Sequence, residues 1–224
     1  MCGRFINISN KNYTQKIFQI NKINNFSKTS YNISPQQNVN VIFSNKGELT
    51  LDSLKWGYSF FNNQTKKNQL VINSRLETID SKFLFKDSYL KRKCIILSNG
   101  YIEWKNENHE KLPYFINIPE MEPIYFAGIW RLEKINNKSI AVCCILTKQA
   151  NNKIKNIHDR MPVLFSNREA ISYLNDDKNN YSKFFIESEI EEDLDFFRIS
   201  KKINNPNNNV KEFLFPLNKN MAII

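Results

Sequence analysis

Short apolar segments separated by turns run the length of this chain and constrain its fold more than any other feature. Residues 39–43, 49–56 and 140–147 are three of them, and their length and β-branched content are typical of strands. Strands that bury one face must pair around a shared core. The pattern therefore predicts an α+β fold, a largely antiparallel β core flanked by a few helices.

Helical spacing is confined to a few segments, at residues 13–23, 78–91, 167–174 and 182–193. The Asn99-Gly100 pair predicts a tight turn joining the strands at 94–97 and 100–104, and residues 212–215 predict a last short strand. No linker rich in Pro, Gly or Ser and no internal repeat divides the chain. We therefore expect a single domain over residues 1–224.

The charge of the chain points to a polyanionic partner. Its 224 residues include 32 Lys and Arg against 22 Asp and Glu, a net charge of +10. A surplus of this size favours nucleic acid, although a generally basic surface is the alternative. The 17 Phe and 9 Tyr argue against a disordered chain.

The four cysteines form neither a CxxC pair nor a Cys/His cluster with zinc spacing, so we expect no metal and no cofactor. Their pattern favours a reducing, intracellular compartment. The N-terminus has no apolar signal segment, and no apolar run reaches the length of a bilayer span, so no membrane association is expected.

Cys2 follows the initiator methionine, which is readily removed before a small residue. Removal would place a free α-amine and a thiol on one residue, with ordinary pKa values of about 7.7–8.0 and about 8.5, so a useful fraction of each would be nucleophilic at neutral pH. An amine and thiol in this arrangement convert an aldehyde to an imine and then to a five-membered thiazolidine. The alternative is that Cys2 is an incidental small residue.

Three further blocks accompany MCGRF at residues 1–5: INSRLET at 72–78, GYIEWK at 100–105 and IHDRMP at 157–162. Together the four blocks resemble the SRAP family, the SOS response-associated peptidases. The resemblance covers nearly the whole chain in the same order. It implies the SRAP fold and a sensor of abasic sites in single-stranded DNA that forms a covalent DNA–protein cross-link and protects the lesion.

The resemblance also implies roles for individual residues. Cys2 would be the nucleophile, Glu103 would move protons during imine formation, and His158 would donate a proton to open the sugar ring. Asn73 would position the substrate or the Cys2 amine through hydrogen bonds. The structural alternatives are a surface strand position for Glu103, a core histidine for His158 and a strand-end cap for Asn73.

Basic residues near these blocks are candidates for DNA binding. Arg4, Arg75 and Arg160 carry planar guanidinium groups that suit phosphate oxygens, and Lys82 would add another contact. The alternative for each arginine is a structural salt bridge, for example between Arg75 and Glu77.

Phe60 and Phe61 follow Trp56-Gly57 in a segment that we expect to form a loop. Exposed aromatic rings there would stack on unpaired bases. The SRAP family often has Trp in this region, and burial in the core is the alternative for both rings.

Two other functions remain open at this point. One is an N-terminal-nucleophile peptidase or amidohydrolase acting in trans, with Cys2 attacking an acyl carbon; the resemblance also implies autoproteolytic removal of Met1 and a possible lyase-type activity. The other is a nucleic-acid-binding module without covalent chemistry. We expect a monomer located in the bacterial cytoplasm, or in the nucleus if the host is a eukaryote.

Overall fold

A computed structural model of the protein describes residues 2–45, 47–175 and 188–217. Most of the described elements are strands: β1 Phe5–Asn7, β2 Lys22–Ile23, β3 Ser30–Ile33, β4 Asn38–Asn45, β5 Glu48–Trp56, β6 Tyr58–Asn62, β7 Lys67–Val71, β8 Asn73–Arg75, β9 Lys93–Ser98, β10 Gly100–Glu107, β11 Glu110–Asn117, β12 Ile124–Ile135, β13 Lys138–Gln149, β14 Arg160–Pro162, β15 Leu164–Phe165 and β16 Asp195–Arg198. The α-helices among the described residues are α1 Lys11–Phe18, α2 Phe83–Lys91 and α3 Asn167–Asn175. The predicted α+β class is confirmed.

Five strands of the larger sheet close into a ring in the order β13, β12, β9, β4 and β5. All pairs in this ring are antiparallel except the closing one, in which β5 runs parallel to β13 and Trp56 lies opposite Cys143. Closure leaves no open edge between these strands. The short strand β8 pairs in parallel with the far part of β13, which brings the start of the INSRLET block to the ring.

A second sheet of five strands runs in the order β16, β11, β10, β1 and β3. The β1 strand, next to Cys2, lies between β3 and β10, and Phe5 pairs with Tyr101. Phe5 of the MCGRF block therefore lies on the strand next to the GYIEWK block in one sheet. The β6 and β7 strands form a separate two-stranded ribbon.

Alternate residues of the ring strands divide the core in two. One cluster packs against the helices and includes Phe18 of α1, Phe85 of α2 and Tyr173 of α3. The other cluster packs against the smaller sheet and includes Cys2 and Phe5. Cys2 and Phe5 are thus buried where the two sheets meet.

The predicted turn at Asn99-Gly100 does not join a hairpin. The β9 strand belongs to the ring and β10 to the smaller sheet, so the chain crosses between sheets at this point. Gly100 has φ +149°, and a Cβ there would lie 2.5 Å from the ring of Phe115. The glycine is required by this close crossing rather than by a two-residue turn.

Several predicted boundaries differ from the structure. The first helix ends at Phe18 because Gln19 takes a left-handed conformation, and the second begins only at Phe83 after a separate turn at Leu76–Thr78. The predicted strand at 212–215 is wrong, because Lys211–Leu214 forms a 3-10 turn. Residues 188–193 of the fourth predicted helix form turns, and residues 182–187 lie outside the described residues.

The expected loop around Phe60 and Phe61 is also wrong, because both residues belong to the β6–β7 ribbon. Five residues of β6 pair with β7 in register, from Tyr58 with Val71 to Asn62 with Lys67.

No helix within residues 2–45, 47–175 and 188–217 has the length and apolar character to cross a membrane.

Candidate functional site

Asn73 holds the backbone of Cys2. Its Nδ2 donates a hydrogen bond of 2.8 Å to the Cys2 carbonyl oxygen, and both residues are buried. Asn73 is placed by the parallel pairing of β8 with β13, in which it lies opposite Ile145. A neutral amide that donates here fixes the position of Cys2 without taking part in proton transfer.

The Cys2 thiol lies in a buried environment. Its Sγ is 4.0 Å from the carbonyl oxygen of Arg4. Burial raises the pKa of this thiol far above its ordinary value, and the nearby charge of Glu103 raises it further. Burial therefore acts against the expectation that a useful fraction of this thiol is ionised at neutral pH, and that expectation stays a prediction for the processed chain. The thiolate must form by transfer of its proton to a neighbouring group.

Glu103 is a buried carboxyl group beside the thiol. It lies in β10 opposite Tyr114, and little of it is exposed. Burial raises the pKa of Glu103, while the positive charge of protonated His158 acts in the opposite direction. A carboxyl group with a raised pKa can accept and return protons near neutral pH.

His158 is fixed by the backbone that follows it. Its Nδ1 accepts a hydrogen bond of 2.9 Å from the Arg160 backbone N–H. That bond requires a lone pair on Nδ1, so the neutral ring carries its proton on Nε2. The Asp159 carboxylate lies 2.8 Å from Nδ1 but is highly exposed, so it contributes little to holding the ring.

A cavity of about 480 Å³ brings Glu103 and His158 to a common surface. Its other lining residues are polar or aromatic: Trp104, Asn106, Lys111 and Asn204. The Trp104 indole N–H donates to Asn204 Oδ1 at 2.8 Å, which ties the turn at 201–204 to the cavity wall. Sequence analysis missed these polar residues because they lie in unremarkable polar segments. Asn106 and Lys111 become neighbours only through the pairing of β10 with β11.

Arg4 is buried and has partners within the protein. Its Nη1 donates to Asn32 Oδ1 at 2.5 Å and to the carbonyl oxygen of Ile203 at 3.0 Å. Its guanidinium carbon lies 5.7 Å from the centre of the Trp104 ring. These contacts are hydrogen bonds to neutral oxygens rather than the salt bridge of the structural alternative, and the phosphate contact of Arg4 stays a prediction.

Arg160 joins two of the blocks. Its guanidinium donates to both carboxylate oxygens of Glu77, at 2.5 and 2.9 Å, and to the carbonyl oxygen of Thr147 at 2.7 Å. The structural alternative had paired Glu77 with Arg75, but the partner of Glu77 is Arg160. This bidentate pair connects the segment that carries His158 to the segment that carries Asn73, and its role toward phosphate stays a prediction.

The other candidate DNA contacts are more exposed. Arg75 is exposed at the end of β8, two residues beyond Asn73, and Lys82 is exposed immediately before α2. Phe60 and Phe61 line a separate depression, which shares no lining residue with the Glu103 cavity. The structure therefore does not bring these two rings to the cavity, although Phe61 is 53% exposed.

Within the described part of the chain, no group of three His, Cys, Asp or Glu side chains could hold a metal ion.

Similar proteins are found over nearly the whole chain. The abasic site processing protein YoaM of Bacillus subtilis is 30% identical over 225 residues, covering 96% of this chain and 97% of its own. YoqW of the same organism is 28% identical over 223 residues, covering 96% and 99%. The abasic site processing protein YedK of Escherichia coli is 28% identical over 144 residues, 64% of each chain.

Solved structures show the same fold. A protein from Bordetella bronchiseptica matches with a TM-score of 0.73 and 16% identity, over 89% of this chain and 100% of that one. A protein from Bacteroides thetaiotaomicron matches with a TM-score of 0.72 and 22% identity, over 85% and 86%. The model of the SOS response associated peptidase family, SRAP, matches residues 1–206. The chain therefore belongs to the SRAP family.

Proposed function

We propose that this protein processes abasic sites in single-stranded DNA by forming a thiazolidine cross-link through Cys2 once Met1 is removed. The observation that carries the proposal is the buried hydrogen bond from Asn73 to the Cys2 carbonyl oxygen. It places Cys2 beside Glu103, which lines one cavity together with His158. The names of YoaM, YoqW and YedK, all abasic site processing proteins, support the substrate class.

The first chemical step exposes the aldehyde. An abasic deoxyribose is mostly a closed hemiacetal, and opening it requires a proton on the ring oxygen and loss of the proton from the C1′ hydroxyl. Protonated His158 gives this proton to the ring oxygen and becomes neutral, the form whose Nδ1 accepts from the Arg160 amide, while the proton of the C1′ hydroxyl passes to solvent.

The second step joins the amine to the aldehyde carbon. The free amine of Cys2 attacks C1′, and the resulting alkoxide takes one proton from solvent to become a hydroxyl. Glu103 accepts a proton from the nitrogen and passes it to that hydroxyl, which leaves as water. The raised pKa of Glu103, caused by burial, suits a group that must gain and lose one proton in turn. The product is an iminium ion.

The third step closes the ring. The thiol gives its proton to Glu103, and the sulfur attacks the iminium carbon to form the C–S bond, which leaves a neutral thiazolidine nitrogen. Before Met1 is removed the nitrogen of Cys2 is an amide and cannot start this sequence. The unprocessed chain is therefore expected to be inactive.

A second candidate is an N-terminal-nucleophile peptidase in which Cys2 attacks an acyl carbon. The observation that favours it is the buried thiol beside a carboxyl group, together with the family description as a peptidase. Removal of Met1 from its own chain fits both candidates. The net charge of +10 is explained better by a DNA substrate.

The test is a cross-linking assay with single-stranded DNA that contains one abasic site. Met-processed protein should give a heat-stable adduct on a denaturing gel, and Cys2→Ala should give no thiazolidine. Cys143→Ala is the matched control, because Cys143 is an equally buried thiol in the same core cluster, and it should cross-link normally. No adduct with the wild-type protein, or an equal yield from Cys2→Ala, would overturn the proposal.

Acetylation of the processed N-terminus tests whether cross-linking needs the free amine, and the choice of substrate separates the two candidates. It removes the amine but leaves the thiol, so cross-linking should be lost. A peptidase would instead turn over an amide substrate and accumulate an acyl-enzyme, with no requirement for abasic DNA.

A further inference from the structure

The hydroxyl group of Tyr101 is buried and has no hydrogen-bond partner among the described residues. Leaving such a group unsatisfied costs about 1–3 kcal/mol, and the core would be as well filled by Phe. A buried hydroxyl without a partner in the resting protein therefore calls for a role in another state.

Tyr101 is held firmly next to the reacting residues. It lies two residues before Glu103 on β10, so the two side chains leave the same face of the strand. It pairs with Phe5 of β1 and packs in the same core cluster as Cys2. Its ring contacts Phe126 edge-on, with the ring centres 6.2 Å apart.

The charged groups around Tyr101 keep its hydroxyl protonated. Burial raises the pKa of this phenol well above its ordinary value, and the charges of Cys2, Glu103 and Glu191 raise it further. Glu191 is itself held by Lys148 and by the backbone N–H of Ser188. The phenol is therefore a proton-bearing donor throughout the reaction.

The sulfur of Cys2 needs such a donor. The Sγ atom contacts the Arg4 carbonyl oxygen, which can accept from a thiol but cannot stabilise a thiolate. Charge that develops on a buried sulfur is stabilised only if a donor is already in place.

We propose that Tyr101 is a positioning residue whose hydroxyl donates a hydrogen bond to the Cys2 sulfur as the thiol loses its proton. This inference rests on the proposed function. The proton of the thiol passes to Glu103, Tyr101 keeps its own proton, and the sulfur then attacks the iminium carbon. The effect is therefore on ring closure and not on attack by the amine.

The experiment measures how the imine divides between two products. Processed protein is mixed with abasic single-stranded DNA in the presence of cyanoborohydride, which reduces the open imine to a secondary amine but leaves the closed thiazolidine intact. The two adducts differ in mass by two hydrogen atoms and are counted by mass spectrometry. Tyr101→Phe removes only the hydroxyl, and its melting temperature should equal or exceed that of the wild type.

Tyr101→Phe should raise the ratio of reduced amine to thiazolidine by about ten-fold, the effect of losing one hydrogen bond to a charged group. The rate of imine formation should not change. Tyr58→Phe is the matched control, because Tyr58 is an equally buried phenol in the helix-covered cluster, and it should leave the ratio unchanged.

A ratio in Tyr101→Phe equal to that of the wild type would overturn this inference while leaving the cross-linking function intact. An equal fall in imine formation and ring closure would also overturn it, because it would indicate a structural role. If wild-type protein forms no adduct of either kind, the proposed function fails and the role of Tyr101 fails with it.

Discussion

Burial acts in the same direction on the Cys2 thiol and the Glu103 carboxyl group. Both groups are charged when deprotonated, so transfer from water into the core raises both pKa values. A buried thiol alone would be inert. The neighbouring Glu103 carboxyl group also has a raised pKa, so its proton affinity is closer to that of the thiolate than the proton affinity of an exposed carboxylate would be. This shared environment makes the pair suited to proton transfer.

Replacing Glu103 should separate activity from stability. Because folding raises the pKa of Glu103, the folded state binds this proton more tightly than the unfolded chain does, and stability falls as the pH rises from the ordinary glutamate pKa to the folded one. Glu103→Gln should therefore melt higher at pH 7, by about 2–4 °C for each kcal/mol gained, while cross-linking is largely lost.

The stability difference should shrink toward about pH 4, below the ordinary glutamate pKa of about 4.3, where both proteins are neutral at this position. Calorimetric melting curves across that range check the sign. A variant that melts lower than the wild type at pH 7 would contradict a burial penalty at Glu103.

At the scale of elements, the Arg160–Glu77 pair aligns the β14 segment with the turn after β8. The two carboxylate contacts and the Thr147 carbonyl contact use the fixed geometry of the guanidinium group, which a lysine cannot reproduce. His158 and Asn73 lie on the two segments that this pair connects.

Arg160→Lys should therefore lower the free energy of unfolding by about 1–3 kcal/mol and slow cross-linking. Denaturant titration measures the first effect and the gel assay the second. Arg168→Lys is the control, because Arg168 pairs with Glu189 although its side chain is 83% exposed. This substitution should lower the free energy of unfolding by less than about 0.5 kcal/mol. Equal effects of the two substitutions would show that the Arg160–Glu77 pair has no special role.

The β6–β7 ribbon is a second element with a separable contribution. Because Phe61 is half exposed, Phe61→Ala should leave the melting temperature almost unchanged. If the ring stacks on a base, affinity for single-stranded DNA should fall by about 1–3 kcal/mol. Tyr13→Ala, at a similarly exposed ring on α1, should not change that affinity, and fluorescence anisotropy measures both.

At the scale of the whole molecule, the charge of +10 should make DNA binding strongly dependent on salt. Arg75 is exposed beside the Asn73 segment, so Arg75→Ala should weaken binding and reduce the slope of log affinity against log salt by about 0.7, the value for one lost phosphate contact on a single strand. Arg168→Ala should leave the slope unchanged. An unchanged slope in Arg75→Ala would remove Arg75 from the DNA contacts.

The strand periodicity predicted the fold class and most strand positions, because apolar alternation depends on local sequence. It did not predict that β9 and β10 belong to different sheets. Gly100 makes that crossing possible through a contact with Phe115, which is fifteen positions further along the chain. Residues 212–215 do not form the predicted strand, because the apolar pair Phe213-Leu214 packs on the core from a 3-10 turn and so few apolar residues carry little information about strand pairing.

The sequence by itself determined the class of fold, the basic charge and the short blocks that carry Cys2, Asn73, Glu103 and His158, since each is a property of neighbouring residues. The tertiary structure decided that Asn73 contacts the Cys2 carbonyl, that Arg160 pairs with Glu77, and that the Cys2 thiol is buried. These outcomes depend on which strands pair and how deeply they are covered. Pairing and burial are set by contacts between residues far apart in the chain, and local sequence does not encode them.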